Sequence, residues 1–142
     1  MDILIKKLDS RARIPKYQSE GAAGFDLHAL EEGEISAGDR ALVRTGLAIA
    51  LPIGYELQVR PRSGLAIKHG VTALNSPGTV DSDYRGELIV ILVNHGRETF
   101  KINAGDRIAQ AVVKAAPQAR LIEARDLDCT ERGAGGFGST GR

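Results

Sequence analysis

The amino-acid sequence predicts an all-β sandwich or barrel, on three observations. Short segments with alternating or continuous apolar residues recur along the 142 residues. Turn-forming residues separate these segments at intervals of about eight to twelve residues, and scarcely any stretch favours a helix. Seventeen glycines and no tryptophan indicate many turns around an aliphatic core. At this length the chain is expected to form a single domain with a sizeable core.

Strand patterns follow one another from the N-terminus to residue 124. They predict strands at 3–7, 25–30, 42–51, 55–60, 88–93, 99–102, 108–113 and 121–124. Gly46 interrupts the third of these segments and predicts a bulge or a close backbone approach. The run 88–93 is apolar on both faces, which predicts burial on two sides, either within this chain or partly against another subunit.

Loops and turns connect these strands, and one segment predicts a short helix. We expect a loop at 11–24, a turn at 31–34 and a helix around 65–68. The helix is expected to open after Ser63 and to close at Gly70, because serine favours helix starts and glycine favours helix ends.

The charge and cysteine content narrow the classes of function. With 19 basic and 18 acidic residues the net charge is +1, so neither a nucleic-acid partner nor a membrane surface is expected. Cys129 is the single cysteine and forms no intrachain disulfide, which is typical of a reducing compartment. Without a signal-like or membrane-spanning pattern, a cytoplasmic location is expected. The three histidines, His28, His69 and His95, do not follow metal-site spacing.

The segment 75–87 is the first candidate for chemistry, and its turn residues predict a β-hairpin. It reads Asn-Ser-Pro-Gly-Thr-Val-Asp-Ser-Asp-Tyr-Arg-Gly-Glu. Two carboxylates, an aromatic ring and a cation lie within it, at Asp81, Asp83, Tyr84 and Arg85. A polar surface turn alone would explain such a segment. Four further segments with matching chemistry favour a functional site.

Three of these segments carry groups suited to a phosphorylated ligand. Asp26 places a carboxylate at the start of a strand, after the pair Ala23-Gly24. Arg62-Ser63-Gly64 combines a cation with the free N–H groups of a helix start, which favours anions, although a simple helix start would look the same. Gln110 follows a tight turn at 105–107, where a solvated side chain is nearly as good an explanation.

The last segment, 132–141, is rich in glycine. Its portion Gly133–Gly138 matches G-x-G-x-x-G, but no βαβ unit surrounds it, and Ser139 stands where a Walker A sequence needs lysine. A mobile run of backbone amides remains, suited to enclosing a polyphosphate, with Phe137 available to stack on a base. A disordered tail is the alternative.

In this order and spacing the five segments resemble the trimeric dUTPase family, from Ala23 to Gly141. The resemblance implies a jelly-roll-like β-barrel assembled as a homotrimer with shared active sites. It implies a barrel domain at 1–128 and a flexible glycine-rich arm at 129–142. The arm would close over an active site whose hairpin belongs to a different subunit.

The resemblance also implies the reaction, in which dUTP and water give dUMP and pyrophosphate by attack on the α-phosphorus. This reaction would supply dUMP for thymidylate synthesis and keep uracil out of DNA. Asp81 would be the catalytic residue that orients and deprotonates the water, and Asp83 would support the hairpin. Mg²⁺ would be held mainly by the triphosphate, with Asp26 reaching it through water.

The implied substrate-binding residues extend over four of the five segments and include Ile89, two residues beyond the segment 75–87. They are Arg62, Ser63, Gly64, Asn75, Gly78, Thr79, Val80, Asp81, Tyr84, Ile89, Gln110, Arg132, Phe137, Gly138, Ser139 and Thr140. The backbone between Asn75 and Ile89 would read the edge of uracil, Tyr84 would lie beneath the deoxyribose and Phe137 over the base.

Two other functions are compatible with these patterns. A dCTP deaminase-type enzyme shares the implied fold but needs a different carboxylate near the base and a different segment in place of Arg-Ser-Gly-Leu-Ala. A non-enzymatic β-sandwich binding module would bind a ligand without turnover.

Overall fold

The computed structural model describes residues 1–138, and strands dominate this range. The elements in chain order are β1 (Leu4–Lys7), β2 (Phe25–His28), β3 (Gly33–Ile35), β4 (Arg40–Ala50), β5 (Tyr55–Arg60), α1 (Ser63–His69), β6 (Val71–Ala73), β7 (Gly78–Val80), β8 (Glu87–Asn94), β9 (Phe100–Ile102) and β10 (Arg107–Ala115). The all-β prediction is confirmed, and the one short helix lies where the sequence predicts it.

Two four-stranded antiparallel sheets form the body of the barrel. One has the strand order β1-β4-β8-β6 and the other β2-β10-β5-β7, while β3 and β9 form a separate pair. The inward-facing side chains of both sheets form one aliphatic core, in which Leu27, Leu57, Leu92 and Ile108 are at most 1% exposed. The alternation predicted for β5 is present, since Leu57 and Val59 are buried.

A bulge interrupts the pairing of β4 with β8, as Gly46 predicts. The register shifts between Arg44 and Ala48, and Gly46 has a φ of 71°. A Cβ at this position would lie 2.9 Å from the Cβ of Ala12. Glycine is therefore required here both by the backbone conformation and by the close packing.

Asn94 connects three parts of the fold, and nothing in the sequence pattern distinguishes it from a turn residue. Its side chain is completely buried. Its amide nitrogen donates to the carbonyls of Ile35 and Glu98, each at 2.8 Å, and its oxygen accepts from the N–H of Gly96 at 2.8 Å. These bonds hold the end of β8 against β3 and the following turn.

Two predicted segments differ in the structure because strands require partners. The turn expected at 31–34 is shorter, since Gly33 and Glu34 belong to β3 and pair with β9. The strand expected at 121–124 is wrong: residues 116–138 contain no strand. Leu121 is 93% exposed and finds no sheet edge within its own chain, so its apolar pattern remains unpaired.

The helix start also differs from the expectation. Ser63 is the first residue of α1 and Arg62 occupies the cap position without a side-chain cap bond. The predicted end is confirmed, since Gly70 is left-handed and its N–H donates to the carbonyl of Ala66. Within residues 1–138 no helix has the length and apolar character needed to cross a membrane.

Candidate active site

The segment 75–87 connects the two sheets, and the predicted β-hairpin is wrong. β7 pairs with β5, with Gly78 opposite Val59 and Val80 opposite Leu57. β8 instead pairs with β4 and β6 in the other sheet. The two arms of the segment therefore diverge, and a cleft opens between them.

This cleft, which we call the base cleft, has a volume of about 180 Å³. It is lined by Leu27, Val59, Thr79, Val80, Asp81, Tyr84, Glu87, Leu88, Ile89 and Val90. Its floor is apolar and buried, whereas carboxylates and a phenol lie at its rim. A small apolar cleft with a few polar groups is typical of a ligand site. Thr79, Val80, Asp81, Tyr84 and Ile89 are predicted site residues that the structure brings together here.

Asp81 follows β7 directly and is exposed. Among residues 1–138 no group donates a hydrogen bond to its carboxylate, while its backbone carbonyl accepts from the N–H of Tyr84 at 3.2 Å. The Asp83 side chain makes no hydrogen bond within residues 1–138, so it does not support the turn. Arg85 has that role, since its Nη1 donates to the carbonyls of Ser82 at 2.7 Å and Tyr84 at 2.8 Å.

The ring of Tyr84 lies across Gly86 and is held at its hydroxyl. That hydroxyl donates to the carbonyl of Glu87 at 3.0 Å. A Cβ at Gly86 would overlap the ring, so a larger residue here would displace Tyr84. Tyr84 nevertheless stays 44% exposed, which leaves one ring face open at the mouth of the base cleft.

Asn75 and Gly78 lie at the other end of β7. Gly78 is buried, and a Cβ there would approach the Asn75 side-chain nitrogen to 3.1 Å. The Asn75 side chain thus packs directly against the start of β7. Neither residue lines the base cleft itself.

A second group of predicted residues, the phosphate cluster, consists of Asp26, Arg62 and Gln110. Gln110 on β10 lies opposite Asp26 on β2 and opposite Arg60 on β5. Arg62 Nε donates to Asp26 Oδ1 at 3.0 Å, and Gln110 Nε2 donates to the carbonyl of Pro61 at 3.0 Å. The pairing of three strands therefore brings together residues that are far apart in the sequence.

Ser63 and Gly64 extend the phosphate cluster along the first turn of α1. Both residues are exposed, and a Cβ at Gly64 would have nothing within 4 Å. The backbone of this turn is accordingly open to a ligand. It follows Arg62 directly in the chain, and the Arg62 guanidinium favours the binding of an anion on this side of the molecule.

The base cleft and the phosphate cluster lie on opposite faces of the same sheet in one chain. Leu27 and Val59 line the base cleft, whereas Asp26, the neighbour of Leu27 on β2, pairs with Gln110 in the phosphate cluster. Successive residues of a strand point to opposite faces of the sheet. The base cleft is lined by none of Asp26, Arg62 and Gln110.

The described part of the glycine-rich arm, residues 129–138, makes no hydrogen bond to either site in this chain. Arg132 Nε donates to the carbonyl of Gly135 at 2.9 Å within a local turn. Phe137 is fully exposed with a φ of 51°, and Gly138 follows with a φ of 82°. Ser139 and Thr140 lie outside the described residues. Of the predicted arm residues, Arg132, Phe137 and Gly138 are thus described, and none of them lines the base cleft.

The carboxylate of Asp26 is suited to contact a metal ion through bound water and not directly. Its Oδ1 accepts from Arg62, and Arg107 Nη1 lies 3.5 Å from its Oδ2. Two guanidinium groups reduce its tendency to ligate a cation directly, but the remaining lone pairs can accept hydrogen bonds from metal-bound water. Within residues 1–138 no group of three His, Cys, Asp or Glu side chains is arranged to hold a metal ion.

Two titratable side chains outside the base cleft, His28 and Asp9, have pKa values that are shifted by their surroundings. Burial lowers the pKa of His28 below 6.5, and the nearby Arg13 acts in the same direction. Its Nδ1 is buried without a hydrogen-bond partner in the described chain. Hydrogen bonds from Arg11 lower the pKa of Asp9 to about 2.

Sequence reasoning missed three residues around the base cleft, namely Arg44, Thr45 and Glu87. They hold the bulge of β4 against the start of β8. The only available signal was Gly46, which predicts an irregularity but does not identify the side chains that satisfy it.

The two paired sheets form a β-barrel of the kind found in solved dUTPases. A Staphylococcus bacteriophage 80alpha dUTPase variant, solved with dUpNHpp, superimposes with a TM-score of 0.93 at 24% identity, covering 99% of each chain. A dUTPase variant of phage phi11 of S. aureus, described with coordination of a structural Mg(II) ion, has a TM-score of 0.85 at 21% identity. The match covers 91% of this chain and 100% of that chain. These matches establish the fold.

Sequence comparison establishes the family: the chain belongs to the dUTPase family, whose model matches residues 10–141. It is 58% identical to the deoxyuridine 5'-triphosphate nucleotidohydrolase of Nautilia profundicola, over 100% of both chains. It is 65% identical to the enzyme of that name from Wolinella succinogenes, over 100% of this chain and 95% of that one. The Helicobacter hepaticus enzyme is 60% identical over 99% of this chain and 89% of its own.

Proposed function

We propose that this protein hydrolyses dUTP to dUMP and pyrophosphate by attack of water on the α-phosphorus. The observation that carries the proposal is the match of residues 10–141 to the dUTPase family, together with an unbonded carboxylate, Asp81, at the rim of the base cleft. The reaction supplies dUMP for thymidylate synthesis and removes dUTP before uracil enters DNA.

The base is recognised by main-chain polarity. β7 is an edge strand, so one side of its backbone is free of ladder bonds. The alternating N–H and C=O groups of such an edge complement the O2, N3–H and O4 of uracil. Cytosine reverses two of these groups and would leave buried polar atoms unpaired, which discriminates strongly. The narrow cleft leaves no room for a 5-methyl group, and the Tyr84 ring beneath the deoxyribose excludes a 2′-hydroxyl.

Asp81 is the catalytic residue. Its carboxylate makes no hydrogen bond within the described chain and is exposed at the cleft rim, so both oxygens are available to a water molecule. It orients that water towards the α-phosphorus and accepts its proton as the new P–O bond forms. Orientation is the larger contribution, since an ordinary carboxylate is a weak base.

The leaving pyrophosphate requires cations and hydrogen-bond donors. Arg62, Ser63, Gly64 and Gln110 hold the phosphates at the open first turn of α1. When bound to the triphosphate, Mg²⁺ would neutralise part of the negative charge of the phosphates. Asp26 would contact the water shell of the ion and not the ion itself, because Arg62 and Arg107 already engage both carboxylate oxygens. Arg132 with Gly138, Ser139 and Thr140 closes on the γ-phosphate, while Phe137 covers the uracil.

A homotrimer with shared active sites explains the separation within one chain. Leu27 and Val59 line the base cleft, while Asp26 and Gln110 lie on the other face of the same sheet, whereas a single dUTP must contact both sites. A second subunit supplies the missing half. The exposed apolar residues Leu121, Ile122 and Leu127 support an assembly that covers this stretch. We assign 1–128 to the barrel and 129–142 to the closing arm, and the reducing compartment predicted from Cys129 is the cytoplasm.

Separate incubations with dUTP and dCTP test the proposed reaction. Pyrophosphate release from dUTP, with no ammonia from dCTP, is the expected result. Release of ammonia from dCTP would contradict the proposed hydrolysis and would identify a deaminase-type reaction. Tight nucleotide binding with no product from either nucleotide would identify a binding module instead.

A further inference from the structure

The bulge between β4 and β8 lies in the wall of the base cleft. Glu87 is opposite Ala48 and Ile89 is opposite Arg44. Three residues of β4, at 45–47, therefore face only Leu88 on β8. The regular ladder is interrupted where β8 enters the sheet, and Leu88 and Ile89 at this point line the cleft.

Side chains replace the missing ladder bonds at this bulge. The N–H of Gly46 donates to Glu87 Oε1 at 2.8 Å, and the Thr45 hydroxyl donates to the carbonyl of Leu88 at 2.6 Å. The Thr45 side chain is 1% exposed and that of Glu87 is 15% exposed. The start of β8 is thus held on β4 by polar side chains as well as by strand pairing.

Arg44 completes this arrangement and places it beside the cleft. Its Nε lies 3.2 Å from Glu87 Oε1 and 3.0 Å from Oε2. Directly paired residues share a face of an antiparallel sheet, as do residues two apart on a strand. Arg44, Glu87 and Ile89 therefore lie on one face, and Ile89 is part of the cleft wall.

Glu87 also connects this wall to Tyr84. Its backbone carbonyl accepts the Tyr84 hydroxyl at 3.0 Å, while its side chain accepts from Arg44 and Gly46. The residue that fixes β8 to β4 is therefore the one that fixes the ring expected under the sugar. A shift of Glu87 would move both the ring and the wall.

We propose that Glu87, held by Arg44, is a positioning residue that sets the width of the base cleft and hence the discrimination between uracil and 5-methyluracil nucleotides. This inference rests on the proposed function, because it assigns the base cleft to a pyrimidine. Glu87 does not contact the reacting atoms; it acts through Tyr84 and Ile89.

Loss of this ion pair should loosen the wall without abolishing the chemistry. The Glu87 carboxylate is 15% exposed, although Arg44 is 47% exposed. Hydrogen bonds to a charged group with little exposure contribute more than those between exposed groups, so loss of the bonds to Glu87 permits the start of β8 to move. A wider cleft binds uracil less well and accommodates a methyl group better. Asp81 lies six residues before Glu87 and makes no hydrogen bond to the side chain of Arg44 or Glu87, so turnover at saturating substrate should change little.

The test compares Glu87→Gln and Arg44→Ala with Glu31→Gln. Glu31 is a matched control, because its carboxylate also contacts Arg44, at 3.4 Å, but it is 47% exposed and lies outside the base cleft. Steady-state kinetics with dUTP and dTTP give kcat and KM for each protein. Calorimetric binding of dUMP and dTMP measures the same discrimination without turnover, and thermal unfolding checks that each variant is folded.

We expect the two cleft variants to raise KM for dUTP about tenfold and to keep kcat within about threefold. The ratio of kcat/KM for dUTP to that for dTTP should fall by about tenfold, while Glu31→Gln leaves it unchanged. The same ratio in folded Glu87→Gln and Arg44→Ala as in the wild type would overturn the inference. So would an equal change in Glu31→Gln.

Failure of the proposed function is distinguishable from failure of this inference. A wild-type protein that binds dUMP over dTMP but releases no pyrophosphate contradicts the hydrolase. In that case a loss of dUMP preference in the two cleft variants still supports the positioning role. An unchanged preference in those variants overturns it, whatever the turnover.

Discussion

The base cleft and the phosphate cluster present opposite designs. At the base cleft, Asp81 is unbonded among the described residues, and the surrounding wall is held by hydrogen bonds to backbone carbonyls. At the phosphate cluster the charges are already paired, with Asp26 between Arg62 and Arg107. The difference indicates that base recognition is preorganised, whereas phosphate binding must redistribute cations that the protein has partly neutralised.

Asp81→Asn is expected to produce the largest effect, because it removes the catalytic carboxylate while leaving the cleft shape intact. We expect kcat to fall by about 10²- to 10⁴-fold, with the affinity for a non-hydrolysable dUTP analogue nearly unchanged. Pyrophosphate release and calorimetry measure the two quantities. Asp83→Asn is the control in the same turn, and a comparable loss of kcat in that variant would contradict the assignment of Asp81.

Mixing two inactive variants tests whether the base cleft of one subunit and the phosphate cluster of another form one site. Asp81→Asn and Arg62→Ala should each be nearly inactive alone. If each site combines the base cleft of one subunit with the phosphate cluster of another, mixed oligomers regain activity, because some sites receive both intact halves. Co-refolding followed by a turnover assay measures this. Absence of any recovery, with mixed oligomers demonstrated by mass, would place both halves in one subunit.

Deletion of residues 129–142 should affect turnover and not the fold. The hydrogen bonds of 129–138 are local, such as that from Gly133 to Thr130. We expect kcat/KM to fall about 100-fold through loss of substrate enclosure, with circular dichroism and the unfolding temperature preserved. Phe137→Ala should give part of this loss. Unfolding of the truncated chain would show that the segment belongs to the core.

The smallest expected effect concerns pH and His28. Its pKa is lowered below 6.5 in the folded state by burial, so the unfolded state binds the proton more readily. The free energy of unfolding should therefore be highest above pH 6.5 and decrease as the pH falls through that value. Urea denaturation in mildly acidic and neutral buffer measures this, and His28→Gln should reduce the slope.

Asp9 does not interfere with that measurement. Arg11 lowers its pKa from 3.8 to about 2, so any stabilisation by this pair is present above 3.8 and disappears only as the pH falls towards 2. A decrease between neutral pH and about 5 therefore belongs to other groups, of which His28 is the candidate. No change of slope in His28→Gln would contradict the assignment.

Local chemistry made several parts of the fold predictable. Alternating residues identified β5, and Gly46 and Gly70 identified the bulge and the helix end. The order of the five segments was sufficient to name the dUTPase family, which the match over residues 10–141 confirms. The strand predicted at 121–124 was wrong because an apolar pattern forms a strand only against a sheet edge. The described residues provide no such edge for this segment.

The sequence by itself determined most of the strands, most of the turns and which side chains are available for phosphate chemistry, because these depend on neighbouring residues. Only the tertiary structure decided that β7 joins β5 while β8 joins β4, so that a base cleft opens where a hairpin was expected. It also decided that Glu87 meets Arg44 and that Asn94 is buried. Strand partners and bulge contacts arise between residues distant in sequence, and pattern along one segment carries no information about them.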